Sequence, residues 1–182
     1  KKNNFSVFGI DLSKESKEMC HPINVQNINL EDENFNYTEE NFDIIFSKSL
    51  IEHLNNPINF MNSCKKLLSD SGCLVIMTPS WIHHGWGPFY LDHTHKTPFT
   101  LQSLRDLGSL AGFKNVKVEY FYQLPVVWRY SFFKIIARLV SFLKIPYLPM
   151  YEGLTSIKWP NFLNKFFRFS NEVMLIAVCK KK

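Results

Sequence analysis

No uninterrupted apolar run in this 182-residue chain reaches the ~18 residues a bilayer-crossing helix needs, so no transmembrane segment is expected. The four cysteines, at 20, 64, 73 and 179, have no close pairing, which signals neither a disulfide framework nor a zinc site. Cys73 and Cys179 fall in apolar, strand-like runs and read as buried thiols in a reducing compartment. The opening Lys1-Lys2-Asn3-Asn4 is too polar for a secretory leader, and the expected location is the cytoplasm. At 46% hydrophobic and 20% charged, the composition excludes a disordered chain and suits one α/β domain with a real core.

Acidic residues are scarce in one segment only. Between Pro125 and Arg168, seven basic residues stand against Glu152 alone, a local charge of +6. The whole chain carries +5, so the remainder is −1 and a nucleic-acid surface over the whole protein is disfavoured.

Apolar runs at 5–10, 23–28, 43–46, 73–77, 116–121 and 173–179 read as strands. Ser13 is placed to cap a short helix over 14–19, and Pro57 suits the first turn of a helix over 57–68. Asp70-Ser71-Gly72 reads as a turn, and Thr100 as the cap of a helix that stops at Gly112. Alternating strands and helices predict a largely parallel sheet with helices on both faces. The Ile44-Ile45-Phe46 run is of the kind buried on both faces, and small polar residues then open a helical pattern at Leu50, Ile51 and Leu54. Such strand ends are where open α/β sheets hold ligands.

The phrase Phe42-Asp43-Ile44-Ile45-Phe46-Ser47, followed by Glu52-His53-Leu54, resembles the fourth strand and next helix of class I S-adenosylmethionine-dependent methyltransferases of the type 11/23 kind. The loop phrase Asp92-His93-Thr94-His95 before Phe99-Thr100-Leu101-Gln102-Ser103-Leu104 is similar to that family too. The resemblance covers roughly residues 1–124 and 169–180. It implies a Rossmann-like sheet with an antiparallel last strand. It also implies a missing first strand and glycine-rich turn, since no Gly-x-Gly occurs upstream of Asp11. The expectation is therefore a single, amino-terminally truncated methyltransferase domain over 1–182, inactive as such, with two apolar strands left without their shared partner.

S-adenosylmethionine is the cofactor implied. Asp11 ends a strand, where a carboxylate can accept from two ribose hydroxyls or simply cap a helix, and Leu12 follows it. Asn29 and Leu30, ahead of Glu31 and Asp32, occupy the adenine-side loop of similar enzymes. Ser47 and Lys48 line the end of the fourth strand, Ser47 toward the cofactor and Lys48 toward the acceptor. His53, Trp81, Tyr90 and Asp92 are the other acceptor-side candidates, and His95 is the candidate general base, its ordinary pKa suiting removal of a hydroxyl proton. A structural histidine bonded to backbone is the alternative for His95. His83, His84, Asp92, His93 and His95 lack a regular metal-ligand spacing, and no metal is expected.

Val126 to Leu143 reads as one apolar helix with a narrow polar stripe of Ser131, Lys134, Arg138 and Ser141. With the aromatics that follow, segment 125–168 is either a lid over the acceptor or a peripheral membrane contact. The expected acceptor is a small molecule, sugar or lipid-linked intermediate, methylated on oxygen. A non-catalytic fragment or interaction module is the alternative, and a nucleotide-dependent dehydrogenase shares only the Asp11 feature.

Overall fold

The computed structural model describes residues 5–32, 37, 41–84, 88–145 and 158–182. Lys1 to Asn4, Glu33, Trp86, Tyr147 and Tyr151 lie outside them. Strands β1 (Phe8–Asp11) and β2 (Asn24–Asn27) form a parallel pair, with Asp11 opposite Asn27. Helix α1 (Ser16–Met19) joins them. It begins after Glu15 with no side-chain cap; Ser13, expected as the cap, bonds Glu15 instead.

A second sheet holds β3 (Phe42–Lys48), β4 (Leu68–Pro79), β5 (Asn115–Phe121) and β6 (Met174–Lys180) in the order β3-β4-β6-β5. The β3–β4 pair is parallel, whereas β6 runs antiparallel to both β4 and β5. That antiparallel final strand was expected.

Helix α2 (Pro57–Leu67) starts where Asn56 accepts from the Asn59 amide at 3.3 Å, with Pro57 at its first position. After the short helix α3 (Trp81–His84), helix α4 (Leu101–Leu110) starts on a reciprocal cap between Thr100 and Ser103 and gives way to Gly112 at φ +77°, where glycine carries no Cβ penalty. Phe60, Met61, Cys64 and Leu67 of α2 meet Leu104 of α4 over Leu74, Ile76, Val118, Leu175, Ala177 and Cys179. The period-2 alternation of the strands thus sends one sheet face into the main core. On the opposite face Val75, Ile176 and Val178 are half-buried, and Ile44 and Phe46 are 62% and 61% exposed.

This corrects the expectation that β3 is buried on both faces. It is an edge strand of its sheet, and β1 shares no ladder with it. Between them lies a groove of about 440 Å³ lined by Gly9, Ile10, Leu30, Ile44, Ser47 and Lys48, among others. The turn predicted at 70–72 is also corrected, because β4 runs unbroken from Leu68 to Pro79. The irregularity is absorbed by a register shift between Phe42 and Ile44. Gly72 permits it, since a Cβ there would sit 2.7 Å from the Phe42 carbonyl oxygen.

Segment 125–168 forms α5 (Pro125–Arg129), α6 (Ser131–Leu143) and the start of α7 (Lys158–Asn171). The single helix predicted over 126–143 breaks at Tyr130, whose backbone is extended (φ −135°, ψ 109°). Val127, Ala137, Val140 and Phe166 bury together with Tyr122, Leu124 and Val173 in a second core. Ser141 faces inward as well, so the predicted polar stripe is only partly a solvent stripe. The outward face of α6 carries Phe132, Ile135, Leu139, Phe142 and Leu143, all exposed. Among the described residues no helix is long and apolar enough to cross a membrane.

Candidate active site

β1, Leu30 after β2, and β3 with Ser49 and Leu50 beyond its end all line the groove. Asp11 closes β1 and is exposed, with its Oδ1 accepting from the Ser13 amide at 2.7 Å. That bond fixes the carboxylate at the strand end without burying it, which suits recognition of a pair of vicinal hydroxyls. Asn27 Nδ2 donates to the Asp11 carbonyl at 3.0 Å and to the Leu12 carbonyl, holding the exposed Leu12 in place. Asn29 Oδ1 accepts from the Glu31 amide at 3.1 Å, and its Nδ2 donates to Asp32, so Asn29 shapes its own loop. Leu30 lines the groove.

Glu31 holds the loops together. Its carboxylate accepts from the Asn55 amide at 2.9 Å and lies 3.6 Å from Lys96 Nζ. It thereby ties the loop after β2 to those after β3 and β4.

Ser47 is buried at the groove, and among the described residues its Oγ has no hydrogen-bond partner. An unpaired buried hydroxyl facing a ligand-sized groove is the kind of polar atom a bound molecule would satisfy. Exposed Asp11 and groove-lining Leu30 therefore fit the adenosine side of a nucleoside cofactor, and orphaned Ser47 fits its transferring end. Lys48 Nζ is directed to Gln123 Oε1, 3.2 Å away, and so lies apart from the other acceptor-side candidates. Ser49 then turns the chain with φ +51°, a left-handed conformation unusual for serine, and its amide bonds the Met77 carbonyl at 2.8 Å.

The turn Ile51–His53 is a single 3₁₀ turn rather than the start of an α-helix. It delivers Glu52 inward, where it is fully buried, and His53 toward the loop after β4. The Glu52 carbonyl accepts from the amides of Lys96 and Thr97 at 2.8 and 3.0 Å, which clamps that loop on the turn. In the loop, Asp92 Oδ1 accepts from the Thr94 amide and hydroxyl at 2.9 and 2.5 Å. These bonds hold the Asp92 carboxyl below the usual carboxylate range. Thr94 Oγ1 lies 2.8 Å from His53 Nδ1, and His95 Nδ1 lies 2.5 Å from the Phe89 carbonyl. His53 and His95 have ring centres 4.6 Å apart, and Phe89 stacks on His95 at 4.5 Å. Trp81 packs edge-on against Phe89 and Tyr90 at 5.6 and 5.9 Å.

The structure thus brings His53, Trp81, Tyr90, Asp92 and His95 into one contiguous cluster and adds Glu52, Phe89 and Thr94, which sequence reasoning left out of the site. Each of Glu52, His53 and His95 contributes one donor atom to a set lying within 4.8 Å of one another, a grouping that could enclose a cation. Burial pushes the Glu52 carboxyl up, opposed by its backbone bond, the Thr78 hydroxyl and the two histidines.

His83 and His84 belong elsewhere. His83 Nδ1 lies 2.8 Å from Ser80 Oγ and its ring packs on Tyr120 at 4.9 Å, while His84 Nδ1 lies 3.0 Å from the Ser80 carbonyl. Burial, aided by Lys144, lowers His83 to about 4, and burial lowers His84 as well. Both are neutral packing residues near pH 7.

A family model described as "Methyltransferase domain" matches residues 1–118. A curated relative, the ubiquinone biosynthesis O-methyltransferase of Haemophilus ducreyi, is 31% identical over 83 residues. That match takes in 40% of this chain and 35% of the relative, so the chain spans about a third of that enzyme's length. Among solved structures, a S-adenosylmethionine-dependent methyltransferase from Archaeoglobus fulgidus superposes with a TM-score of 0.59 at 19% identity, covering 95% of this chain and 75% of that one. The phosphoethanolamine N-methyltransferase 2 of Haemonchus contortus, solved with S-adenosylhomocysteine, gives 0.57 at 16% identity over 96% of this chain and 43% of that one. At such identities these two report on fold alone. With the family model covering well over half of its residues, the chain belongs to the S-adenosylmethionine-dependent methyltransferase domain family.

Proposed function

We propose that the protein methylates an oxygen of a small, sugar-bearing or lipid-linked acceptor, with S-adenosylmethionine as donor. The observation that carries this reading is the packing of His53, Asp92 and His95 at the loop that follows β4, joined through Glu31 to the loop that carries groove-lining Leu30. When bound, the donor supplies a methyl group on a sulfonium, which needs an aligned nucleophile and little else from the protein.

The protein's own residues then have separate tasks. Asp11 holds the ribose, Leu12, Asn29 and Leu30 shape the adenine side, and Ser47 marks the approach to the transferring group. Trp81, Tyr90 and Phe89 exclude water around the acceptor, with Lys48 at the far edge. His95 takes the proton that the acceptor hydroxyl loses as its oxygen–carbon bond forms. Its Nδ1 faces a carbonyl, which only accepts, so the proton there is fixed and Nε2 is the basic nitrogen.

The curated relative is an oxygen methyltransferase acting in ubiquinone biosynthesis, and this supports oxygen as the methylated atom. The exposed apolar face of α6, with Arg129, Lys134, Arg138 and Lys144 around it, supports an acceptor met at an anionic membrane surface on the cytoplasmic side.

The test is transfer of labelled methyl from S-adenosylmethionine into lipid and sugar extracts by the full-length protein. His95→Ala should lower incorporation about 100-fold while S-adenosylhomocysteine affinity stays within about twofold. Parallel loss of both would make His95 structural.

A further inference from the structure

Two imidazoles and one carboxylate converge beside the loop that follows β4, and their other bonds are already assigned. Thr94 Oγ1 gives its proton to Asp92 Oδ1 at 2.5 Å, so His53 Nδ1, 2.8 Å away, donates to Thr94. His95 Nδ1 donates to the Phe89 carbonyl at 2.5 Å. Each neutral ring keeps its lone pair on Nε2 and is held from behind by an oxygen. Metal-binding imidazoles are oriented in the same way. The carboxylate is that of Glu52, fully buried, whose Oε2 accepts from Thr78 Oγ1 at 2.9 Å. Among the described residues its Oε1 has no partner, and a buried carboxylate oxygen in that state is costly.

We propose that Glu52, His53 and His95 form a site for a divalent first-row transition-metal ion, with zinc the best fit. One donor atom from each of the three lies within 4.8 Å of the others. Ligands of a tetrahedral zinc ion sit about 3.3 Å apart, so small side-chain movements close the set. Asp92 Oδ2, exposed and 3.9 Å from His95 Nε2, is within reach of a fourth position. Imidazole nitrogen with carboxylate oxygen favours zinc or cobalt over magnesium and calcium, which take oxygen ligands. Lys96 of the same loop is paired with Glu31 and does not supply the positive charge. No regular spacing announces the site, because Glu52 and His53 are neighbours on a 3₁₀ turn and His95 comes from another loop. The consequence for catalysis rests on His95 being the base that takes the acceptor's proton. A bound ion occupies the Nε2 lone pair that this proton needs, and so holds methyl transfer back.

Isothermal titration of zinc into the chelator-treated full-length protein tests the site with neither donor nor acceptor present. Its failure is therefore separable from failure of the methyltransferase reading. A single zinc ion per chain should bind, and millimolar magnesium should not compete. Glu52→Gln, His53→Ala and His95→Ala should each weaken binding at least about tenfold. Cys20→Ser, which removes the exposed thiol, should leave binding unchanged. Should Glu52→Gln fail to fold, the two histidine variants carry the comparison. No stoichiometric zinc binding, unchanged affinity in the histidine variants, or loss of binding in Cys20→Ser would overturn the site. Added zinc should also slow methyl transfer, and EDTA should restore it. Full zinc occupancy with undiminished transfer would overturn the catalytic consequence.

Discussion

Thr78 Oγ1, on the central strand β4, donates to Glu52 Oε2 at 2.9 Å and is the side-chain hydrogen bond that the fully buried carboxylate receives. Among the described residues one carboxylate oxygen has a partner and the other has none. A half-satisfied buried charge is less favourable than an amide of the same shape.

Glu52→Gln should accordingly stabilise the protein at pH 7. Burial raises the Glu52 carboxyl above its unfolded value, so folding is opposed as pH rises from about 4.5 through the folded pKa. The amide keeps the Thr78 bond and offers its N–H to a histidine lone pair. Differential scanning fluorimetry should show a melting temperature higher by about 2–4 °C at pH 7, shrinking toward pH 4. A lower melting temperature at pH 7 would show that the ionised carboxylate holds the fold together.

His83 sets the opposite pH dependence. Its folded pKa of about 4 lies below the unfolded 6.5, so the unfolded chain binds more protons between these values. The stability His83 contributes is complete above about pH 6.5 and is lost as pH falls toward 4. The melting temperature should drop over that window, and His83→Gln should flatten the drop. A variant with the same acid slope as wild type would place the sensitivity elsewhere.

The outward face of α6 makes a prediction about location. Phe132 and Phe142 are 66% and 83% exposed, and no acidic residue lies between Glu119 and Glu152. Each basic residue near an anionic bilayer contributes about 1 kcal/mol. Co-sedimentation should show binding to anionic vesicles at low salt, loss of it at high salt, and weaker binding after Phe132→Ser. Equal recovery with neutral vesicles would remove the anionic charge from the account, and none with either would remove the membrane.

Much of the main core was legible because its signals are local. Pro57 and Thr100 announce the starts of α2 and α4, and Cys73-Leu74-Val75-Ile76-Met77 has the run of a central strand. The break at Tyr130 was not legible, because no proline or glycine marks it and the apolar pattern continues across. Nor was the exposure of Ile44 and Phe46, which depends on which strand lies beside β3 rather than on residues within it. In the site, the Asp92–His95 phrase pointed to the right loop. Glu52 escaped because a glutamate beside a histidine reads as solvated until the 3₁₀ turn and Thr78 draw it inside.

The central claim, a nucleoside cofactor held by Asp11 at the end of β1, is tested most directly by calorimetry with S-adenosylhomocysteine on the full-length protein. Asp11→Ala removes an acceptor for two hydroxyls and should cost about 1.5–3 kcal/mol, a 10- to 100-fold loss of affinity. Unchanged affinity in Asp11→Ala, or no binding by the wild type, would contradict the account.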